Sequence, residues 1–529
     1  MGTFVIAYDV GTTGIKTCLF EIDKEIRLVE SAMCGYNLYV FENGGAEQDA
    51  DEWWHAMCVT TKAIFEKSDV KPSDIKGISF CSQMQGLVLV DKEGNAVRRP
   101  MSYMDQRAKE EIKKGIAHGF QIAGANVFKL IKSIMITGAV SASVKDPVWK
   151  YKWIEAHEPE NFKKAYKWLD VKEYLIGRTT GRFVMTRDSA FGTLIYDIHK
   201  KEWSKSMCKM FHLNVDHLAE IIDCTDLVGG ITEKAAKELG LEEGTPVFGG
   251  GGDASLIGVG AGATAVGDTH IYSGTSGWIG TVTDKSVVDA SNMIAAIVGA
   301  EDGKYNYFAE METSGKCLEW VKNHLALDEI DIYLEKHDVT ESLEAEYTSL
   351  YDYMTSVIKD VPAGCDGVIF TPWLHGNRCP FEDPNAKGMF FNIGLETGKR
   401  QLIRAVIEGI CFHKRWMLEA EGKKVKTSDP IRFVGGGALS AVTCQILADI
   451  TGKTVETVAS PQNVGAVGAA ALVGVGLGLI KNLDEVKNFI PVVATYKPNP
   501  ELKPIYDRNF EVFKNLYKSN KKNFAILNK

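Results

Sequence analysis

The hydrophobic positions of the chain alternate between two periods. Short apolar runs ("FVIAYD" from Phe4, "IKGISF" from Ile75, "GLVLVD" from Gly86, "TPVFGG" from Thr245, "IRFVGG" from Ile431, "TVETVA" from Thr454) have the length and residue types of buried strands. Between them, stretches such as "DADEWWHAMCVTTKAIFEKS", Asp49 to Ser68, repeat apolar residues at helical spacing. The alternation predicts an α/β protein. "VGAVGAAALVGVGLGLI", Val464 to Ile480, is about the minimum length for spanning a bilayer, but its Gly and Ala content predicts a helix packed closely inside the fold. The Lys-rich C-terminal "FKNLYKSNKKNFAILNK" reads as a solvated helix or tail.

A chain of 529 residues is too long for one hydrophobic core, which predicts two large domains. A repeat suggests where they divide. "DVGTTG", Asp9 to Gly14, returns as "YSGTSG", Tyr272 to Gly277, about half a chain length later, so that two equivalent Gly-Thr turns would face a shared cleft. The expected boundary lies near Gly249 to Asp253, giving domains 1–250 and 251–529.

Composition narrows the function by exclusion. The 69 acidic and 60 basic residues leave a net charge of −9 spread along the chain, so no basic footprint for nucleic acid exists. The first residues lack the apolar run of a secretory signal, and no segment demands a membrane, so a cytoplasmic location is expected. Eleven cysteines without a Cys-x-x-Cys pair read as reduced core residues, and eleven histidines form no zinc-like cluster. A metal, on this reading, arrives with a ligand.

In the opening hairpin, Gly11 and Gly14 let backbone approach a ligand, while Thr12 and Thr13 offer hydroxyls and turn amides to an anion. Asp9 beside them would repel a phosphate unless a divalent cation lay between, and Mg²⁺ takes one or two carboxylates together with phosphate oxygens. Lys16 adds a positive charge. Four glycines, Gly249 to Gly252, precede Asp253, which could act as a general base on an attacking hydroxyl or simply cap a helix. "VGGGALSAVTCQILADITG" reads as strand, Gly-rich turn and helix able to hold a nucleotide, yet it fails the dinucleotide fingerprint, and no Walker A motif occurs. Polar groups suited to a small substrate gather in the N-terminal half: "AEQDADEWW" with Glu47, "CSQMQG" with Gln83, Met84 and Gln85, and "YMDQR" with Asp105 and Arg107. Asp105 and Arg107 also fit a plain surface pair, and Trp53 and Trp54 a plain core.

Taken in order, "DVGTTGIK", "EQDADEWW", "QMQG", "YMDQR", "KDPVWKYKWIEAHEPE", "GGGGDAS", "SGTSG", "GMFFNIGLETGKRQLIRAVIEG" and "VGGGALSAVTCQILADITG" resemble the FGGY carbohydrate kinases of the sugar kinase, Hsp70 and actin superfamily. The match runs from Tyr8 to about Gly476, with Asn392 standing where the second signature usually has Gly. The resemblance implies two actin-like (ribonuclease H-like) ATPase domains flanking a central catalytic cleft. It implies ATP and Mg²⁺ as cofactors, with Asp9, Gly11, Thr12 and Thr13 at the first phosphate and metal site and Gly274, Thr275 and Ser276 at the second. Gly436, Gly437 and Ala438 would border the adenosine, and Asp253 matches the catalytic base. A homodimer is compatible with it.

Within the family the resemblance is strongest to the xylulokinases, which typically show Gln-Met-His-Gly where this chain has Gln83 to Gly86, and Asn where it has Ala254. Both departures fall at the sugar site. The expected reaction is ATP-dependent phosphorylation of a small sugar at a terminal hydroxyl, D-xylulose first. Gluconate, ribulose, erythritol and glycerol are alternatives, and gluconate would want Arg107 for its carboxylate. An actin- or Hsp70-like nucleotide switch is the reading from another class, disfavoured by the second signature, Asp253 and the lack of a peptide-binding domain after the core.

Overall fold

The computed structural model describes residues 2–117, 119–122, 125–325 and 357–528. Strands β1 (Thr3–Val10), β2 (Gly14–Ile22) and β3 (Ile26–Gly35) form an antiparallel meander, and β4 (Ile75–Ser82) and β5 (Pro246–Phe248) extend it in parallel on the β1 side. A two-residue strand β6 (Gly251–Gly252) also pairs with β4. In the second half, β7 (Thr269–Ser273), β8 (Gly277–Thr283) and β9 (Tyr305–Met311) form the same meander, extended in parallel by β10 (Ile431–Val434) and β11 (Val455–Val458). Order and sense are the same in both sheets: 5-4-1-2-3 against 11-10-7-8-9. The repeat seen in two short motifs therefore extends over five strands of each half's sheet.

The continuous apolar runs follow from sheets covered on both faces. Along β1, Ile6, Tyr8 and Val10 enter one core with Trp53, Met57 and Ile64 of α1 (Ala50–Lys67). Val5 and Ala7 enter another with Val467 and Ala470 of a helix from the far half. Period-two alternation puts Asp9 on the second face, toward that helix.

Between the sheets lie α3 (Asp253–Gly260) and α5 (Val464–Gly476), with α2 (Arg187–Gly192) behind α3 and α4 (Lys399–Glu421) further into the C-terminal half. A Cβ on Gly260 would sit 1.8 Å from the Val464 carbonyl, and one on Gly468 would sit 2.4 Å from that of Leu256. Contact this close between backbones explains the Gly/Ala run: α5 is the tightly packed internal helix expected. Among the described residues no helix is long and apolar enough to cross a membrane. No disulfide joins the eleven cysteines, nine of which are buried.

The C-terminal segment is helical, one of the two forms expected, but not simply solvated. It forms α6 (Lys503–Leu527), whose Phe513, Leu516, Tyr517 and Phe524 pack in the C-terminal core, with Trp373 touching Phe513 and Tyr517. Five lysines among the last seventeen residues of the chain obscure an apolar stripe at helical spacing.

Candidate active site

The site is assembled where the parallel strands end, the position at which open α/β sheets hold ligands. Register fixes its geometry: Asp9 of β1 and Gly251 of β6 both lie opposite Cys81 on β4. Two inter-strand spacings, about 10 Å, therefore separate the Asp9 strand from the strand that delivers Asp253.

In the β1–β2 turn the carbonyls face inward. Gly11 O accepts from the Tyr36 hydroxyl at 2.5 Å, Thr12 O from Gln48 Nε2 at 2.6 Å, and Thr13 O from Tyr36 N at 3.0 Å. Thr13 is exposed and Thr12 half-buried, so hydroxyls and amides form the outward surface. The β7–β8 turn is held similarly: Gly315 N and Ser314 N donate to the carbonyls of Gly274 and Thr275 at 2.8 and 3.0 Å. Against it lies the turn from Gly435 to Ala438. Gly435 has φ +89°, and a Cβ there would approach the Ser273 carbonyl to 2.6 Å, while one on Gly437 would approach Ser273 Cβ to 2.8 Å. The expected adenosine-side residues Gly436, Gly437 and Ala438 thus adjoin the second turn.

Asp9 is reached from the other half. The first turn of α5 covers it so closely that a Cβ on Gly465 would meet Asp9 Oδ2 at 3.0 Å. Burial raises the Asp9 pKa, opposed by the charge of Lys16 on the facing strand position and by the Cys81 thiol. Lys16 Nζ donates to Asn463 Oδ1 at 2.8 Å, just before α5.

Asp253 opens α3 and accepts from Ala254 N at 2.8 Å. Its glycine run is a steric requirement: a Cβ on Gly252 would lie 2.1 Å from Met84 Sδ, and one on Gly250 2.4 Å from the Phe80 carbonyl. Burial first, then the charges of Asp9, Glu310 and Asp188, raises the Asp253 carboxyl to about 7 against the pull of the Ala254 amide. A carboxyl so tuned can accept a proton near neutral pH.

Gln83, 6% exposed, donates to Gln48 Oε1 at 2.9 Å, while its own Oε1 is buried without a hydrogen-bond partner among the described residues. Such an acceptor suits a hydroxyl donor. Gln85 sits at φ +62°, its N–H donating to Asp170 Oδ2 at 2.8 Å and its carbonyl accepting from the buried Lys150 at 2.8 Å. Asp105 and Arg107 are paired, but in the interior. Arg107 donates to Asp105 Oδ2 at 2.7 Å and to Glu47 Oε1 at 2.6 Å and stacks on Trp153 at 4.4 Å, and Asp105 also accepts from Ala46 N at 2.8 Å. The alternative of a plain surface pair is thereby corrected, because their partners come from a distant strand that covers them. Trp53 and Trp54 are core residues.

Two residues near Asp253 escaped sequence reasoning. Glu310 on β9 acts electrostatically on Asp253 and is itself paired with Arg378 at 2.5 Å; Arg378 also reaches Glu312 at 2.7 Å. The only signal was an acidic strand end, "AEME", with no indication that Arg378 would reach it.

Two sheets of one topology, a glycine turn on each and a carboxylate at the strand ends between them are the frame of an actin-like ATPase fold with a cleft suited to phosphoryl transfer. The chain belongs to the FGGY family of carbohydrate kinases: the family's N-terminal domain matches residues 4–260 and its C-terminal domain residues 270–477. A xylulose kinase from Bacillus subtilis is 27% identical, covering 97% of this chain and 96% of its own. A gluconokinase from the same organism is 26% identical over 94% and 92%. The crystal structure of ligand-bound xylulose kinase from Lactobacillus acidophilus superposes with a TM-score of 0.82 at 26% identity, covering 99% of each chain, and a gluconate kinase structure from that organism gives the same values. Membership makes the protein a carbohydrate kinase and implies ATP as phosphoryl donor.

Proposed function

We propose that the protein transfers a phosphoryl group from ATP to a terminal primary hydroxyl of a small neutral sugar, with D-xylulose the best single candidate. The observation that carries this reading is Asp253, its carboxyl raised to about 7, following Gly252 beside the strand end at Ser82 that leads into Gln83 and Gln85, with Asp9 on the next strand across. Asp253 takes the proton of the attacking hydroxyl, Gln83 Oε1 accepts from a second hydroxyl, and Gln85 orients a third. Met84 packs under Gly252 and fixes the height of the base. Thr12, Thr13, Thr275 and Ser276 hold the phosphates, and the turn at Gly436 borders the adenosine. The lobes 1–250 and 251–529 belong to the same reading, with the hinge in the glycine run.

Mg²⁺ fits the donor set. Among the described residues no cluster of three His, Cys, Asp or Glu could hold a metal, but Asp9 offers one carboxylate beside a phosphate turn. One carboxylate with phosphate oxygens and water is the coordination Mg²⁺ commonly adopts, and the ion would supply charge neutralisation there.

Gluconate is the second reading, supported by the gluconokinase relatives. Against it, Arg107 is already engaged by Asp105 and Glu47, and Arg378 by Glu310 and Glu312. A ligand carboxylate would enter a cleft whose acids already occupy those cations. The test is kcat/KM for D-xylulose, L-xylulose, D-ribulose, erythritol, glycerol and gluconate under one set of conditions. D-xylulose should lead; a tenfold lead for gluconate or glycerol contradicts the ketopentose assignment.

A further inference from the structure

Behind Asp253 lies a charged cluster from which water is excluded. Lys172, Glu173 and Asp188 are each 0% exposed. Lys172 Nζ pairs with Glu173, donates to Thr186 Oγ1 at 2.6 Å and Ser189 Oγ at 2.5 Å, and stands 3.9 Å from Asp188 Oδ1. One cation facing two carboxylates leaves the cluster with an excess negative charge. Burying it is costly unless its hydrogen bonds are complete.

They are nearly complete, and they converge on α3. Asp188 Oδ1 accepts from the Thr186 hydroxyl at 2.5 Å and Ser189 N at 2.9 Å, and Oδ2 accepts from Gly252 N at 2.7 Å. The Ser255 hydroxyl is a further partner, the Cys224 thiol donates to Oδ1 at 3.6 Å, and the Cys81 thiol also faces the charges of Asp188 and Asp253; burial keeps both thiols protonated. Burial opposes ionisation of Asp188, but Lys172, Thr186, Gly252 N and Ser255 outweigh it and hold the carboxyl below its usual range. Asp188 therefore grips the residue before Asp253 and the residue two after it. A Cβ on Gly251 would lie 3.2 Å from Asp188 Oδ2, so the glycine also lets the carboxylate approach.

We propose that Asp188 is a positioning residue for the kinase reaction: it fixes the Gly252–Ser255 turn that aims Asp253 and places a permanent buried negative charge behind that base. The inference rests on Asp253 being the base. A fixed anion behind a carboxylate makes the carboxylate a stronger base, and a charge-assisted bond to a backbone amide restrains the turn. Asp188 is among the charges that raise the Asp253 carboxyl.

The test is the pH dependence of kcat in the full-length enzyme with saturating ATP and sugar. Asp188→Asn leaves Lys172 and Glu173 as a balanced pair and keeps a side-chain oxygen for Gly252. It should lower kcat about tenfold and move the acid limb down by about one pH unit, with KM for both substrates within about twofold. Asp188→Glu keeps the charge but displaces the carboxylate, so kcat should fall while the limb stays within about 0.3 of a unit. It also serves as the reading if the Asn variant does not fold. Thr186→Val removes the hydroxyl's hydrogen bonds to Lys172, Glu173 and Asp188 but no charge, so its limb should not move either. A merely structural role would lower the melting temperature and kcat in all three without separating the limbs, and that result overturns the inference. Asp253→Asn is the control. If it retains activity with an acid limb, the base assignment itself fails; if it is inactive while Asp188→Asn behaves as wild type, only the role of Asp188 fails.

Discussion

The two glycine turns share a motif and a place in the sheet, yet they close differently. In the first, Val10 pairs with Ile15 and Asp9 with Lys16; in the second, Ser273 pairs with Gly277 and Tyr272 with Trp278, so the second loop is one residue tighter. The motif position of Asp9 is taken by Tyr272, whose ring stacks on Trp278 at 4.1 Å. The carbonyls of the first turn are held largely by side chains, Tyr36 and Gln48, and those of the second by backbone amides starting the helix Gly315–Leu325. One copy thus carries an acid at its strand end, the other an aromatic ring. The other has given up charge for rigidity. On the proposed reading both turns hold phosphate, and only the one with an acid at this position takes part in the chemistry.

The comparison is broken most severely at Asp9. Asp9→Asn should lower kcat by about 10²- to 10³-fold at saturating ATP, the range seen when a transition-state charge stabiliser is removed. A loss below fivefold would place the two turns on an equal footing. Next in size is pH: because Asp253 must be ionised to accept a proton and its carboxyl is raised to about 7, kcat should climb with pH up to about that value and then level. Below it the rate should drop by about tenfold per unit.

The tighter second turn should be the more sterically brittle. A Cβ on Gly274 would lie 2.3 Å from the Tyr272 hydroxyl, whereas one on Gly11 meets only the Gly14 carbonyl at 3.3 Å. Gly274→Ala should raise KM for ATP by about tenfold, the scale of one lost hydrogen-bonding contact, and change Trp278 emission. Gly11→Ala should do less. The smallest effect belongs to Tyr272→Phe, which keeps the stack and should leave kcat within about twofold.

How much of this could be read in the sequence depended on the range of the interactions. The strands, the internal Gly/Ala helix and both turns were legible because local pattern and close backbone approach select residue types directly. The buried face of α6 was not, since lysines interleave with its buried aromatics. Nor was the burial of Arg107: its nearest carboxylate, Asp105, is two residues away, but Glu47 and the covering strand are distant. Asp188 and Lys172 gave no signal either, because a charge buried against a partner elsewhere in the chain looks the same in sequence as a solvated one. The glycine run before Asp253 marked a close approach without telling what approached; Met84, Phe80 and Asp188 do.

The most direct test of the account is Asp253→Ala, assayed for both phosphoryl transfer and ATP binding. Phosphorylation of D-xylulose should fall by about 10²- to 10⁴-fold, the usual contribution of a positioned general base, while the dissociation constant for ATP stays within about twofold. Activity within twofold of wild type would remove Asp253 from the reaction and contradict the site described above.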